Sequence, residues 1–132
     1  MGIVYRGYDM TASFRDTCRA RWPGGDFRLG DAAALPEPDA GWDVVFCRHL
    51  LEHVEDWRAA LAELARVAGR WLVVLSWRAL TDKAGYQTDP DVTTWVFNRA
   101  EFTGALGALG EVETINVTGA APIYVVKIDG AS

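Results

Sequence analysis

Apolar and polar positions along the chain fall into short runs and four-residue stripes that alternate from one end to the other. Ile3 to Tyr8 is β-branched and aromatic, ends at Asp9, and predicts a strand. Thr11 then opens a helix in which Phe14, Cys18 and Trp22 share one face, and Pro23-Gly24-Gly25 stops it. Asp26 to Gly30 predicts a second strand, followed by Asp31-Ala32 and a loop containing Pro and Asp from Leu35 to Gly41. Trp42 to Cys47, WDVVFC, is almost continuously apolar, the pattern of a strand buried on both faces of a parallel sheet. Asp56 caps the clearest helix, with Trp57, Ala60, Leu61, Leu64, Val67 and Ala68 on one stripe and Gly69 as its end. Trp71 to Leu75 predicts a further buried strand.

Trp77 to Phe97 is polar and aromatic with no clear period, and predicts a long loop of the kind that is usually functional. Trp77, Tyr86, Trp95 and Phe97 there are candidate walls of a substrate pocket, or the packing of a flap over the sheet. Asn98 and Glu101 make a capping box for a helix whose stripe is Phe102, Ala105, Leu106 and Leu109, closed by Gly110. Glu111 to Val117 and Ile123 to Ile128 predict the last two strands, joined by a short turn at Pro122. The alternation predicts an α/β fold, a mostly parallel sheet with helices on both faces. The short final link allows one antiparallel strand, expected at the edge.

Composition narrows the function classes. The 132 residues fit one domain, 1–132, and half of them are apolar, enough for a core. Thirteen basic against eighteen acidic residues, net −5, argue against nucleic acid as a partner. Two cysteines, Cys18 and Cys47, without a signal-peptide layout, predict a reduced, cytoplasmic protein. No apolar run approaches a membrane span, so no membrane partner is expected. Cys47, ending an apolar run, reads first as a small buried hydrophobe.

The run GDAAALPEPDAGWDVVFCRHLLEHVEDWRAALAELARV, Gly30 to Val67, resembles one stretch of small-molecule class I S-adenosylmethionine-dependent methyltransferases. There a GDA-x-x-LP segment leads into a (F/W)DVV strand, a LEHV turn and a helix reading AL-x-E-x-x-RV. A looser likeness runs from Tyr8 to the C-terminus, including the NRAEF helix start. The resemblance implies a Rossmann-like sheet, S-adenosyl-L-methionine as cofactor, and methyl transfer to oxygen or nitrogen of a small molecule. It implies that Asp9, followed by Met10, takes the cofactor ribose. It implies that Asp31 and Ala32 lie at the adenine, and that Cys47 and Arg48 lie beside the sulfonium and its methyl group.

Each role has a physical basis and a plainer rival. A carboxylate at a strand's C-terminal end can accept two ribose hydroxyls, but Asp9 can equally start a helix. Asp31 can accept from an exocyclic amine, or form an Asx turn. Arg48 lies where open α/β sheets place ligands, or pairs at the surface with Glu52 or Asp56. His49, Glu52 and His53 share one turn, which offers His53 and His49 as general bases for the methyl acceptor. The resemblance implies a divalent metal site as the alternative for this turn, since some O-methyltransferases carry acidic residues and a histidine there; a third reading packs His53 under the helix, where it caps a backbone group.

The family's central strand and its glycine-rich loop precede the position of Asp9, and no counterpart is read in this chain. The expectation is a truncated or minimal domain in which Ile3 to Tyr8 closes directly onto WDVVFC, giving a monomer. A strand-exchanged homodimer is the alternative. A non-catalytic, partner-dependent protein of the same fold rivals the enzyme, and a receiver-like doubly wound domain is a weaker third.

Overall fold

The computed structural model describes residues 2–76, 80–82, 85–89 and 92–130. Chain order there is β1 (Arg6–Asp9), α1 (Ala12–Arg21), β2 (Asp26–Leu29), β3 (Trp42–Arg48), a one-turn 3-10 helix (Leu51–His53), α2 (Trp57–Val67) and β4 (Ala68–Leu75). It continues with β5 (Gly85–Asp89), β6 (Val92–Val96), α3 (Arg99–Gly107), β7 (Gly110–Ile115) and β8 (Ile123–Ile128). The main sheet has the order β3-β4-β8-β7. Its first pair is parallel and the other two are antiparallel. β1 and β2 form a separate parallel pair, and β5 and β6 an antiparallel hairpin.

Local chemistry explains the helices. The Asp56 carboxylate accepts the Ala59 N–H at 3.1 Å, and the Asn98 side chain accepts the Glu101 N–H at 3.1 Å, so each helix start satisfies one backbone donor. Leu72 and Val74 of β4 and Tyr124 and Val126 of β8 alternate onto one face, where Leu61, Phe102 and Leu106 cover them. Phe102 is the hub, with ring centroids 4.6 Å from Phe97, 5.5 Å from Trp57 and 5.7 Å from Tyr124. Because Trp57 of α2 and Phe102 of α3 touch, the two helices share this face.

That arrangement corrects several expectations. β3 is not buried on both faces: Val44 is 52% and Phe46 62% exposed, on the side away from α2 and α3. The antiparallel strand is not at the edge, since β8 lies between β4 and β7. β1 begins at Arg6 rather than Ile3, and of the expected helix stripe Phe14 and Trp22 stay exposed while Cys18 is half-buried. α2 ends at Val67, and Ala68 starts β4 with no intervening loop. Gly69 therefore lies in a strand; a Cβ there would come within 3.1 Å of the Ala40 and Trp42 carbonyl oxygens. Gly110 opens β7 instead of closing a helix; at φ 156 a Cβ would overlap the Lys127 carbonyl. The expected loop at 77–97 contains the β5–β6 hairpin, which its β-branched and aromatic residues favour.

The expected closure of β1 onto β3 does not occur; among the described residues β1 pairs only with β2. Closure needed the first two strands to shift together, and the loop that joins them to β3 is pinned to α2. Arg66 donates to the Leu35 and Glu37 carbonyls at 3.1 and 2.9 Å, and Glu63 accepts the Leu35 N–H at 2.8 Å. The Arg6 guanidinium at the start of β1 lies 5.0 Å from the Trp42 ring centroid at the start of β3, which joins the two parallel pairs at that end.

Candidate functional site

Parallel strands present ligand-binding groups at their C-terminal ends, and the residues singled out from the sequence lie at such ends. Asp9 ends β1, half-buried. Its Oδ1 accepts both the Thr11 N–H and the Thr11 hydroxyl at 2.7 Å, so Thr11 bonds back to Asp9 rather than capping α1. Asp31 follows β2, exposed, and its Oδ1 accepts the Ala33 N–H at 2.8 Å in an Asx turn. Both carboxylates thus fill turn roles with one oxygen. Among the described residues each Oδ2 has no hydrogen-bond partner. The Gly30 N–H donates to the Asp9 carbonyl at 3.0 Å, which keeps the two strand ends adjacent. Met10 is 71% exposed, and Ala32 packs against the core's margin.

At the end of β3 the side chains diverge. Cys47 is buried in the core; burial, and then the nearby Glu52 charge, push its thiol up to about 12. Arg48 is exposed and makes no ion pair with Glu52 or Asp56 among the described residues. His49 takes the left-handed φ of 51, and its N–H donates to the Leu75 carbonyl at 2.9 Å. Its ring Nδ1 lies 3.5 Å from Glu52 Oε1. Glu52 is 2% exposed, held in the 3-10 helix between β3 and α2. His53 does not pack under the helix; it is exposed, and its N–H bonds the Leu50 carbonyl at 2.9 Å. The turn therefore brings His49 and Glu52 together and leaves His53 aside. Among the described residues no three His, Cys, Asp or Glu side chains converge as metal donors. Of the aromatic wall, Trp77 lies outside the described residues, as do the side chains of Tyr86 and Trp95; Phe97 is core.

One group escaped sequence reasoning. Glu37 Oε1 accepts from Tyr8 Oη and Arg6 Nη1, both at 2.6 Å, and Arg6 Nε donates to Asp26 at 2.7 Å. The Tyr8 hydroxyl, then Arg6, hold the Glu37 carboxyl down to about 2. Alternation on β1 puts Arg6 and Tyr8 on one face, but nothing in the spacing points to a carboxylate about thirty residues on.

A family model described as a methyltransferase domain matches residues 1–70, more than half of the chain. The chain belongs to the methyltransferase domain family. A probable S-adenosylmethionine-dependent methyltransferase of Mycolicibacterium smegmatis is 37% identical over 99 residues, covering 72% of this chain and 38% of the relative. This methyltransferase domain spans between 15 and 38% of the length of the curated relatives it matches. Its fold is similar to that of the PH0226 protein of Pyrococcus horikoshii (TM-score 0.77, 16% identity), with 97% of this chain and 73% of that one covered. It is also similar to an S-adenosylmethionine-bound amino pentose methyltransferase from Micromonospora echinaspora (TM-score 0.71, 17% identity), covering 93% and 73%. No helix among the described residues is long and apolar enough to cross a membrane.

Proposed function

We propose that the chain carries out S-adenosylmethionine-dependent methyl transfer to oxygen or nitrogen of a small molecule. The observation that carries this reading is the pair Asp9 and Asp31. They lie at the ends of adjacent parallel strands in a methyltransferase domain, each with a carboxylate oxygen left over from its turn. That donor set fits a ribose diol and an adenine amine. Asp9 would accept the hydroxyls and Asp31 the amine, with Met10 and Ala32 as apolar neighbours. Arg48, a cation without an ion pair among the described residues, matches the methionine carboxylate. Cys47 would contribute through its backbone, since its thiol is buried.

When bound, the cofactor supplies a methyl group on a cationic sulfonium. With the methyl group so activated, the protein's own work would be alignment of the acceptor and removal of its proton. His49 is favoured over His53 as the proton acceptor, because its ring is held beside a buried carboxylate. A second reading has its own support. With β1 and β3 unpaired to each other and Val44 and Phe46 exposed, the chain would act only when another strand completes the sheet.

Calorimetric titration with S-adenosylmethionine and S-adenosylhomocysteine tests both. Stoichiometric heat supports the first reading. Silence at millimolar cofactor sinks it for the chain alone and leaves the partner-dependent one. Where heat is seen, Asp9→Ala is expected to weaken binding by about 1–3 kcal/mol, the cost of unpaired ribose hydroxyls. An unchanged affinity removes Asp9 from the ribose site.

A further inference from the structure

We propose that Glu52 is a positioning residue for His49: it holds the imidazole in the Nδ1–H form and so leaves Nε2 as the ring's proton acceptor. This rests on the reading of His49 as the base for methyl transfer. Two neutral tautomers are open to an imidazole, and the hydrogen bond made at one nitrogen decides which is present. A carboxylate at Nδ1 keeps the proton there and turns the basic lone pair to the opposite side of the ring.

The geometry points this way from both partners. Glu52 is almost wholly enclosed, its side chain 1% exposed, so its charge acts on a neighbouring ring with little screening by water. His49 Nδ1 stands 3.5 Å from its Oε1, about half an ångström beyond a hydrogen bond. The backbone carries a cost to reach this arrangement: φ of 51 is unusual for a residue with a Cβ, and the bond from its N–H to Leu75 fixes it. A third of the His49 side chain, 33%, remains exposed, so the ring faces the carboxylate through Nδ1 and is still reachable from solvent. In the transfer itself, the acceptor's O–H or N–H gives its electron pair to the methyl carbon and its proton to Nε2. The carbon–sulfur bond breaks with its electrons staying on sulfur.

The test needs no acceptor and no cofactor. The chain has two histidines, so His53→Gln leaves a single imidazole, that of His49, in long-range proton–nitrogen spectra. At a pH high enough that the imidazole signals no longer move, the ring is neutral, and His49 is expected in the Nδ1–H form. Glu52→Gln, close in shape, is expected to abolish that preference, and Glu52→Asp to restore it in part. An Nε2–H form in the otherwise unaltered chain, or a tautomer unmoved by Glu52→Gln in folded protein, overturns the proposal. If Glu52→Gln fails to fold, the first spectrum alone decides. Failure of the base reading shows elsewhere: a His49→Gln chain that still transfers methyl groups would remove the base while the tautomer result stood.

Discussion

The residues before β3 and those after it use similar side chains to different ends. α1 carries Phe14 and Cys18 on one face, with Trp22 at its C-cap, as α2 carries Trp57 and Leu64, yet Phe14 is 63% exposed and Trp57 3%. No described residue before Cys47 is buried, whereas Phe102, Leu106, Leu72 and Val126 are each 0% exposed. The difference lies in what each helix has to lean on. α2 and α3 cover a four-stranded sheet, while α1 has two strands of four residues each. An apolar stripe stabilises a helix only where a surface receives it. Ion pairs and hydrogen bonds at Arg6, Asp26 and Glu37 hold the first region instead, with Arg66 fastening the loop that follows.

The comparison breaks most visibly through paired truncations. Phe102→Ala is expected to cost about 3–5 kcal/mol in urea unfolding, the range for a fully buried aromatic. Phe14→Ala, on the exposed face of α1, is expected to stay within about 0.5 kcal/mol. Equal losses would mean that the α1 stripe is covered in solution, which would bring back closure or a partner.

Glu37 tests the polar joint between the regions. Glu37→Gln removes the charge that Tyr8 and Arg6 hydrogen-bond and is expected to cost about 1–3 kcal/mol. The sign with pH follows from its lowered carboxyl. A group held lower in the folded than in the unfolded chain adds stability above its unfolded value, about 4.3. That stability is lost as pH falls toward its folded value of about 2. Thermal melts from pH 6 down to about 2.5 should steepen over that window, and Glu37→Gln should remove part of the slope. Asp16, Asp26 and Glu63, also lowered by arginine partners, contribute to the rest. An unaltered slope would show that Glu37 is solvated and the joint loose.

This contrast also marks what the sequence made legible. Elements with a strong period were readable: Asp56 with the Trp57–Leu64 stripe gives α2, and Ile123 to Ile128 is β8 to the residue. Placement between elements was not, because WDVVFC looks the same whether a second layer covers Val44 and Phe46 or leaves them bare. At the site, Asp9 was legible as the end of a β-branched and aromatic run, and Asp31 and the LEHV turn from a family-like run of residues. The sorting of His49 from His53 was not, since it hangs on one left-handed φ and a one-turn helix that no spacing encodes. Glu37 was hidden for a third reason: its partners come from a distant strand, and long-range pairing leaves no local trace.

The smallest expected effect leaves stability untouched and reads only rates. The thiolate is the reactive form of cysteine. At about 12, the Cys47 thiol would be ionised to roughly one part in 10^5 at neutral pH, against a few per cent for an ordinary thiol. It is also 3% exposed, so a disulfide reagent has neither a nucleophile nor a path. Cys18, on α1 in the exposed region, is half-buried and needs no unfolding to be reached. Folded protein treated with a chromogenic disulfide at neutral pH should therefore release about one equivalent promptly, and the second only as denaturant crosses the unfolding transition. Cys18→Ser should abolish the prompt phase and leave the slow one. Two prompt equivalents would mean that the end of β3 opens without global unfolding. The well-packed region would then stop short of Cys47, and the turn that carries His49 and Glu52 would belong with the thinly packed first region.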